Sequence, residues 1–317
     1  MCHRGAVAAA DARSVSRHNK GMPMQRRAPP GFNNLVSRKA HALAELLRHH
    51  VVPLFSVDNE GNPDFEGSGV LVLLDGYPLV VSAAHVFDHL SSGVHLLLKG
   101  REQTPLESPH RVTLCTPPLQ RNADLYDLGW CPLTQDEYAA ADPLSFITLE
   151  DPVEIPAEWF YRYLVIGYPA KDQVPNHMES VYHIQQTYYS GPRLRSSKAR
   201  QAGLDTSSTI ALEFAHNRIV GPRGAGGRPN FRGMSGGGIW RFSPYEEYSA
   251  ERPPPLVGFL AGSPPKNLKA LFGGSGQFLR LLVAEAAQAT GYCHSVPANT
   301  RLEWAFAPGH PLHARTR

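Results

Sequence analysis

Residues 67–86 read GSGVLVLLDGYPLVVSAAHV. Two short Val/Leu-rich runs, 70–74 and 79–81, flank LDGYP, where Asp-Gly and Pro are turn residues. Apolar, β-branched runs too short for a helix predict a pair of strands. The second run passes into Ser82, Ala83 and Ala84, small residues that let the ring of His85 pack at the mouth of a core. The same texture spreads outward in VVPLFSV (51–57) and VHLLLK (94–99), with DNEGNP and SSG as the breaks. It returns in YLVIGYP (163–169), SVYHIQQTYY (180–189), STIALEF (208–214), GGIWRF (237–242) and PLVGFLAG (255–262). With 28 Gly, 28 Pro and no alternation of strands with helices, an all-β sandwich or barrel fits and a parallel α/β sheet does not.

Around this β-rich body the chain of 317 residues changes character. Residues 1–33 are polar and basic, end in RRAPPGFNN, and are expected to form a disordered leader. Residues 34–50, with Leu35, Leu43, Leu46 and Leu47 on one side, predict an amphipathic helix that packs on the body. Residues 268–290 turn helical, at least from Gln277 onward, and 292–317 form an irregular tail. No further domain is expected in the short stretch after Thr290. A hydrophobic share of 42 % against 19 % charged residues is globular, and a net charge of +3 is too mild to call for nucleic acid or a membrane surface. Cys2, Cys115, Cys131 and Cys293 are scattered without metal or disulfide spacing, which suits a reducing compartment. The short alanine run 6–10, broken by Asp11, makes a poor signal peptide, and no apolar stretch reaches membrane-spanning length. A cytoplasmic location is therefore expected.

The chemistry centres on RGMSGGGIW (232–240). A serine that attacks a carbonyl needs backbone N–H groups aimed at the developing oxyanion, with close approach of substrate to the main chain. Gly233, Gly236 and Gly237 around Ser235 serve both needs, although a Gly-rich surface turn has the same composition. His85 is the candidate base. In NADLYDLGWCPL (122–133), Asp124 and Asp127 compete to orient it; Asp127, leading into the strand-like Leu128-Gly129-Trp130, is the better placed. His49-His50 and the tail histidines lack metal-ligand spacing and read as surface residues, while Trp130, Trp159 and Trp240 read as packing.

Taken in order, SAAH (82–85), YDLG (126–129) and GMSGGG (233–238) resemble the three signature segments of the trypsin-like, chymotrypsin-fold serine proteases, in their disulfide-free bacterial or HtrA-like style. The order His, Asp, Ser and the intervals of 42 and 108 residues are similar to that family's. The resemblance implies two six-stranded antiparallel β-barrels: residues 51–150 carrying His85 and Asp127, and residues 151–291 carrying Ser235 and a C-terminal helix. It implies a serine endopeptidase working through a triad and an acyl-enzyme, with the N–H groups of Gly233 and Ser235 as oxyanion hole. Pro229 and Asn230 fall at the base of the specificity pocket, so a preference for Lys or Arg is disfavoured. LVGFLAG is similar to the strand lining the substrate cleft, with Gly258, Phe259 and Leu260 as the residues expected there. Two departures stand out. Val86 holds the place of a cysteine, and Met234 that of the aspartate which receives a freed N-terminus in the animal enzymes.

The expected partners are a protein or peptide substrate and, as in some family members, an activating protein; no cofactor, metal, nucleic acid or membrane is expected. Two other readings compete. A catalytically silent trypsin-fold binding module keeps the fold and drops the reaction. An α/β-hydrolase elbow matches Gly233-Met-Ser235-Gly-Gly237, but no aspartate follows Ser235 and the next residues are strand-like.

Overall fold

A computed structural model describes residues 30–57, 63–74, 77–89, 94–97, 105–108, 112–113, 127–133, 138, 141, 145–148, 161–170, 174–176, 181–183, 185–204, 209–213, 219–221, 224–225, 231, 233–262 and 270–275. Among these the chain is mostly β-sheet with three short or medium helices: α1 (Phe32–Leu47), α2 (Ala84–His89) and α3 (Ser196–Gln201).

The first sheet contains β1 (Val51–Val57), β2 (Pro63–Leu74), β3 (Tyr77–Ala83), β4 (Val94–Leu97) and β5 (Pro105–Ser108). It is completed by β6 (Val112–Thr113), β7 (Leu128–Pro132) and β8 (Ile147–Thr148). Its order is β5-β4-β1-β2-β3-β7-β6, antiparallel throughout, with β8 added parallel to β2. Leu74 of β2 pairs with Tyr77 of β3, so the opening stretch contains the antiparallel strand pair that its apolar runs predict.

A separate pair is β10 (Val174–Asn176) with β11 (Val181–His183). The second sheet contains β9 (Arg162–Gly167), β12 (Thr187–Gly191), β13 (Thr209–Glu213), β14 (Ile219–Gly221) and β15 (Gly224–Ala225). To these it adds β16 (Gly238–Phe242), β17 (Leu256–Gly262) and β18 (Ala270–Ser275), in the order β13-β18-β17-β16-β9-β12-β14-β15. Just past β12, Arg193 bridges Leu212 of β13. There the Leu194 N–H donates to Ala211 C=O at 2.7 Å and the Glu213 N–H to Pro192 C=O at 2.9 Å. The chain running on from β12 thus meets β13, which lies at the far end of the sheet order. No continuous strand ladder closes either sheet among the described residues.

Side-chain alternation explains why these strands read as unbroken apolar runs. Val70, Val72 and Leu74 of β2 and Leu79 and Val81 of β3 join Leu164, Ile166, Trp240 and Phe242 of the second sheet in one shared core. Their alternates Leu71 and Val80 fill a core of the first sheet with Val86, Phe87 and Cys131. Tyr163, Val165 and Ile239 fill another in the second sheet. Successive side chains point to opposite faces, and here both faces are dry. Trp130 and Trp240 pack as expected; Trp159 lies outside the described residues.

Helix α1 docks on the shared core through Phe32, Val36, Ala40, Leu43, Ala44 and Leu47. This face is rotated from the expected one: Leu35 and Leu46 are only half-buried. The helix ends in a single 3₁₀ turn, Arg48–His50, where a second correction falls. His50 is buried, and its Nδ1 faces the Ser145 carbonyl at 2.9 Å, so it is a core histidine rather than a surface one. The expected helix from residue 268 is corrected over Ala270–Ser275, which is β18. Pairing on both sides, with β13 and β17, gives that segment its ladder bonds and outweighs local helix propensity. Residues 276–290, the leader 1–29 and the tail lie outside the described residues. Among the described residues no helix is long and apolar enough to cross a membrane.

Candidate active site

His85 stands in the first turn of α2, not on β3 itself, because the strand gives way to helix at Ala84. Asp127 organises this turn. Its backbone carbonyl accepts the Ala84 N–H at 2.9 Å, and its Oδ1 accepts the His85 N–H, also at 2.9 Å. Its Oδ2 faces His85 Nδ1 at 2.5 Å. A carboxylate only accepts hydrogen bonds, so in a neutral ring this contact favours the tautomer with the proton on Nδ1 and the lone pair on Nε2. To aim three acceptors at one helix turn, Asp127 adopts φ 42, the left-handed region. Among the described residues no other non-glycine has a positive φ. Such a conformation costs on the order of 1 kcal/mol and persists where surrounding bonds over-determine it. The Asp127 side chain is 13 % exposed and that of His85 37 %, so the orienting carboxylate is covered while the imidazole keeps an open edge.

Ser235 sits on the turn between Gly233 and β16, held almost entirely by main-chain bonds. The Gly233 carbonyl accepts the Ser68 hydroxyl at 2.9 Å, and the Ser235 carbonyl accepts the Ser68 N–H at 2.9 Å. The Gly236 N–H donates to Leu260 C=O at 2.6 Å, and the Leu260 N–H to Gly237 C=O at 2.7 Å. Gly233 and Gly236 have φ 89 and 84. A Cβ at Gly236 would lie 2.0 Å from the Ser68 carbonyl oxygen and 2.1 Å from Ser82 Oγ, so only glycine fits. Among the described residues the N–H groups of Gly233 and Ser235 have no acceptor. The Ser235 hydroxyl donates to the Ala261 carbonyl at 3.3 Å.

The His85 segment and the serine turn meet through β2. Ser82, three residues before His85, donates from Oγ to the Ser68 carbonyl at 2.7 Å, the same Ser68 that grips the serine turn. Gly67 lies against both Val86 and the Ser235 carbonyl.

The structure also relocates several expected residues. Phe259 belongs to the shared core, Leu260 to the second-sheet core, and Gly258 pairs with Ile239 and Ser275. Their side chains therefore pack, and β17 reaches Ser235 through main chain, at Leu260 and Ala261. Pro229, Asn230 and Asp124 lie outside the described residues. Met234 is fully buried in the second-sheet core with Tyr163, Val165 and Ile239. An aspartate there would bury a charge without a partner, which explains the residue that looked out of place in the sequence. Ser68 is the residue that sequence reasoning missed. GSG in front of the histidine strand was its visible trace, but nothing in the spacing says that its hydroxyl turns toward residue 233.

No protein-family model matches the chain, and no curated protein matches it. Solved structures do. The chain is 15 % identical to the Vibrio cholerae VesB protease over 78 % of its own length and 65 % of that chain, with a TM-score of 0.49. It is 12 % identical to GrC over 76 % of its length and 95 % of that chain, at a TM-score of 0.46. It is 12 % identical to the serine endoprotease from Yersinia pestis over 82 % and 67 %, at 0.42. Likenesses this distant say nothing of the site's chemistry, which rests on its own atoms.

Proposed function

We propose that the protein is a serine endopeptidase in which Ser235 is the nucleophile, His85 the base and Asp127 its orienter. The observation that carries this reading is the pair of hydrogen bonds between Asp127 and His85, with the Nδ1 contact at 2.5 Å, beside a serine turn where the Gly233 and Ser235 N–H groups have no acceptor among the described residues. His85 Nε2 takes the Ser235 proton as Oγ attacks the substrate carbonyl carbon, and the oxyanion is received by the N–H groups of Gly233 and Ser235. The protonated imidazole then gives its proton to the departing amine, leaving the acyl group on Ser235. Water, deprotonated by the same ring, releases the acid and restores the serine.

Two barrels belong to the same reading. The Arg193–Leu212 bridge supports a second ring of β9, β12, β13, β18, β17 and β16, with β1 to β7 as the first. The substrate is a protein or peptide, and the reaction requires no cofactor. The bond from Ser235 Oγ to Ala261 favours one addition, a resting form whose serine must turn before it reacts, as a partner-activated enzyme needs. At 3.3 Å that bond is long for O–H···O and is surrendered at little cost.

A fluorophosphonate probe tests the reading: the wild type reacts and Ser235→Ala does not. Failure of the wild type to react with and without candidate activators favours a binding module with the same fold.

A further inference from the structure

We propose that Ser68 is a positioning residue that aims the Ser235 N–H, an inference that rests on the acyl-transfer reading and adds to it a residue outside the triad. The argument lies in three consecutive peptide groups. In the Gly233–Met234 peptide, the carbonyl accepts the Ser68 hydroxyl and the Met234 N–H donates to Phe231 C=O at 2.9 Å. In the Ser235–Gly236 peptide, the carbonyl accepts the Ser68 N–H and the Gly236 N–H donates to Leu260 C=O. Both neighbours of the Met234–Ser235 peptide are thus held at both ends. That central peptide is itself tied at its carbonyl, which accepts the Gly237 N–H at 2.9 Å. Among the described residues the Ser235 N–H is the one polar group of the three peptides without a partner, and the bonds around it fix its direction. Ser68 supplies two of those bonds.

The hydroxyl is built for this task rather than placed by chance. Ser68 is fully buried. Its Oγ both donates to Gly233 C=O and accepts the Tyr168 N–H, each at 2.9 Å, so removing it orphans a donor and an acceptor in a dry site. Its backbone is freed for the purpose by the sheet. The β2–β3 ladder ends at Val70↔Val81, while β3 itself runs on to Ala83 paired with β7. Beyond that point the Ser68 N–H and C=O turn to Ser235 and to the Ser82 hydroxyl instead of the β3 backbone. One residue therefore registers the serine turn against the segment that carries His85.

An oxyanion donor acts on the transition state more than on bound substrate, so misaiming it lowers kcat with KM unchanged. Ser68→Ala is expected to lower the acylation rate per active site about 30- to 100-fold, the order found when a catalytic group is misplaced by about 1 Å. Fluorophosphonate labelling followed to completion counts the competent molecules, and its rate constant reads the alignment. Ser68→Thr and Ser68→Val share one shape and differ only in the hydroxyl, so strain from the extra carbon cancels between them. Labelling faster in Thr than in Val by a similar factor, with the Thr protein above Ala, supports the role. Equal rate constants for Thr and Val overturn it. So does a loss confined to the end-point, since fewer molecules reacting at an unchanged rate is what a purely structural serine gives. Against a labelled wild type and an inert Ser235→Ala, unchanged Ser68 variants sink the positioning role alone; no labelling of the wild type sinks the acyl-transfer reading and this inference together.

Discussion

The two halves of the candidate site are built on opposite principles. His85 is held by a side chain: both carboxylate oxygens of Asp127 point at its turn, and the covering of that carboxylate keeps the pair together. Ser235 is held by main chain, with glycines where the backbone turns left and carbonyls gripped by Ser68 and Leu260. The first half can be altered by changing one functional group without moving an atom. The second tolerates no added carbon. Chemistry and geometry are thus separable by mutation, which few active sites allow so cleanly.

The largest effects fall on the reacting atoms: Ser235→Ala and His85→Ala are expected to lower kcat about 10⁴- to 10⁶-fold with the fold intact, read by peptide hydrolysis and circular dichroism. Asp127→Asn sharpens the side-chain half. Asparagine also tolerates the left-handed region, so the backbone at φ 42 survives. Activity falls about 10³- to 10⁴-fold because the amide can stabilise the wrong tautomer and carries no charge. Asp124→Asn is expected to leave kcat as it was; the reverse pattern exchanges the two roles.

Gly236→Ala addresses the main-chain half. A left-handed alanine costs about 1–2 kcal/mol before its contact with the Ser68 carbonyl is counted, so a lower melting temperature accompanies the lost activity. If Gly236→Ala retains both, the glycines are not what holds the turn. Leu47→Ala then asks whether α1 belongs to the body. The side chain is fully buried in the shared core, and about 2–5 kcal/mol of stability is expected to go; a negligible loss means that the helix serves a partner.

The smallest effect is on pH. Burial holds the His50 pKa below its ordinary value near 6.5, against the opposing bond to Ser145 and with a further lowering from His49. As pH falls through the ordinary value, the unfolded chain takes up a proton that the folded one refuses. Stability present above that value is therefore lost toward lower pH. Melting temperatures measured downward from about pH 7.5 should fall less steeply in His50→Gln, which does not titrate. A parallel decline in both proteins removes His50 as a cause.

How much of this was legible in the sequence follows a physical line. Turn residues and apolar runs disclosed most strands because those signals are local. His85, Asp127 and Ser235 could be singled out as candidates because glycines and small residues mark where backbone comes close. His50 escaped because a histidine ending a polar stretch looks solvated until Ser145 is brought beside it from 95 residues away. The Ala270–Ser275 strand escaped because its partners, β13 and β17, are supplied by the fold. The burial of both Phe259 and Leu260 was hidden for a related reason: in a sheet dry on both faces, both parities of side chain enter a core.

The docking of α1 has a consequence for the chain's birth. The helix leaves the ribosome ahead of both sheets, yet Leu164, Ile166, Trp240, Phe242, Leu256 and Phe259 of the core it joins are translated more than about 100 residues later. At about 5–20 residues per second, its oily stripe waits tens of seconds for that cover. The core that takes in the first helix is thus complete only once strands of the second sheet have been made.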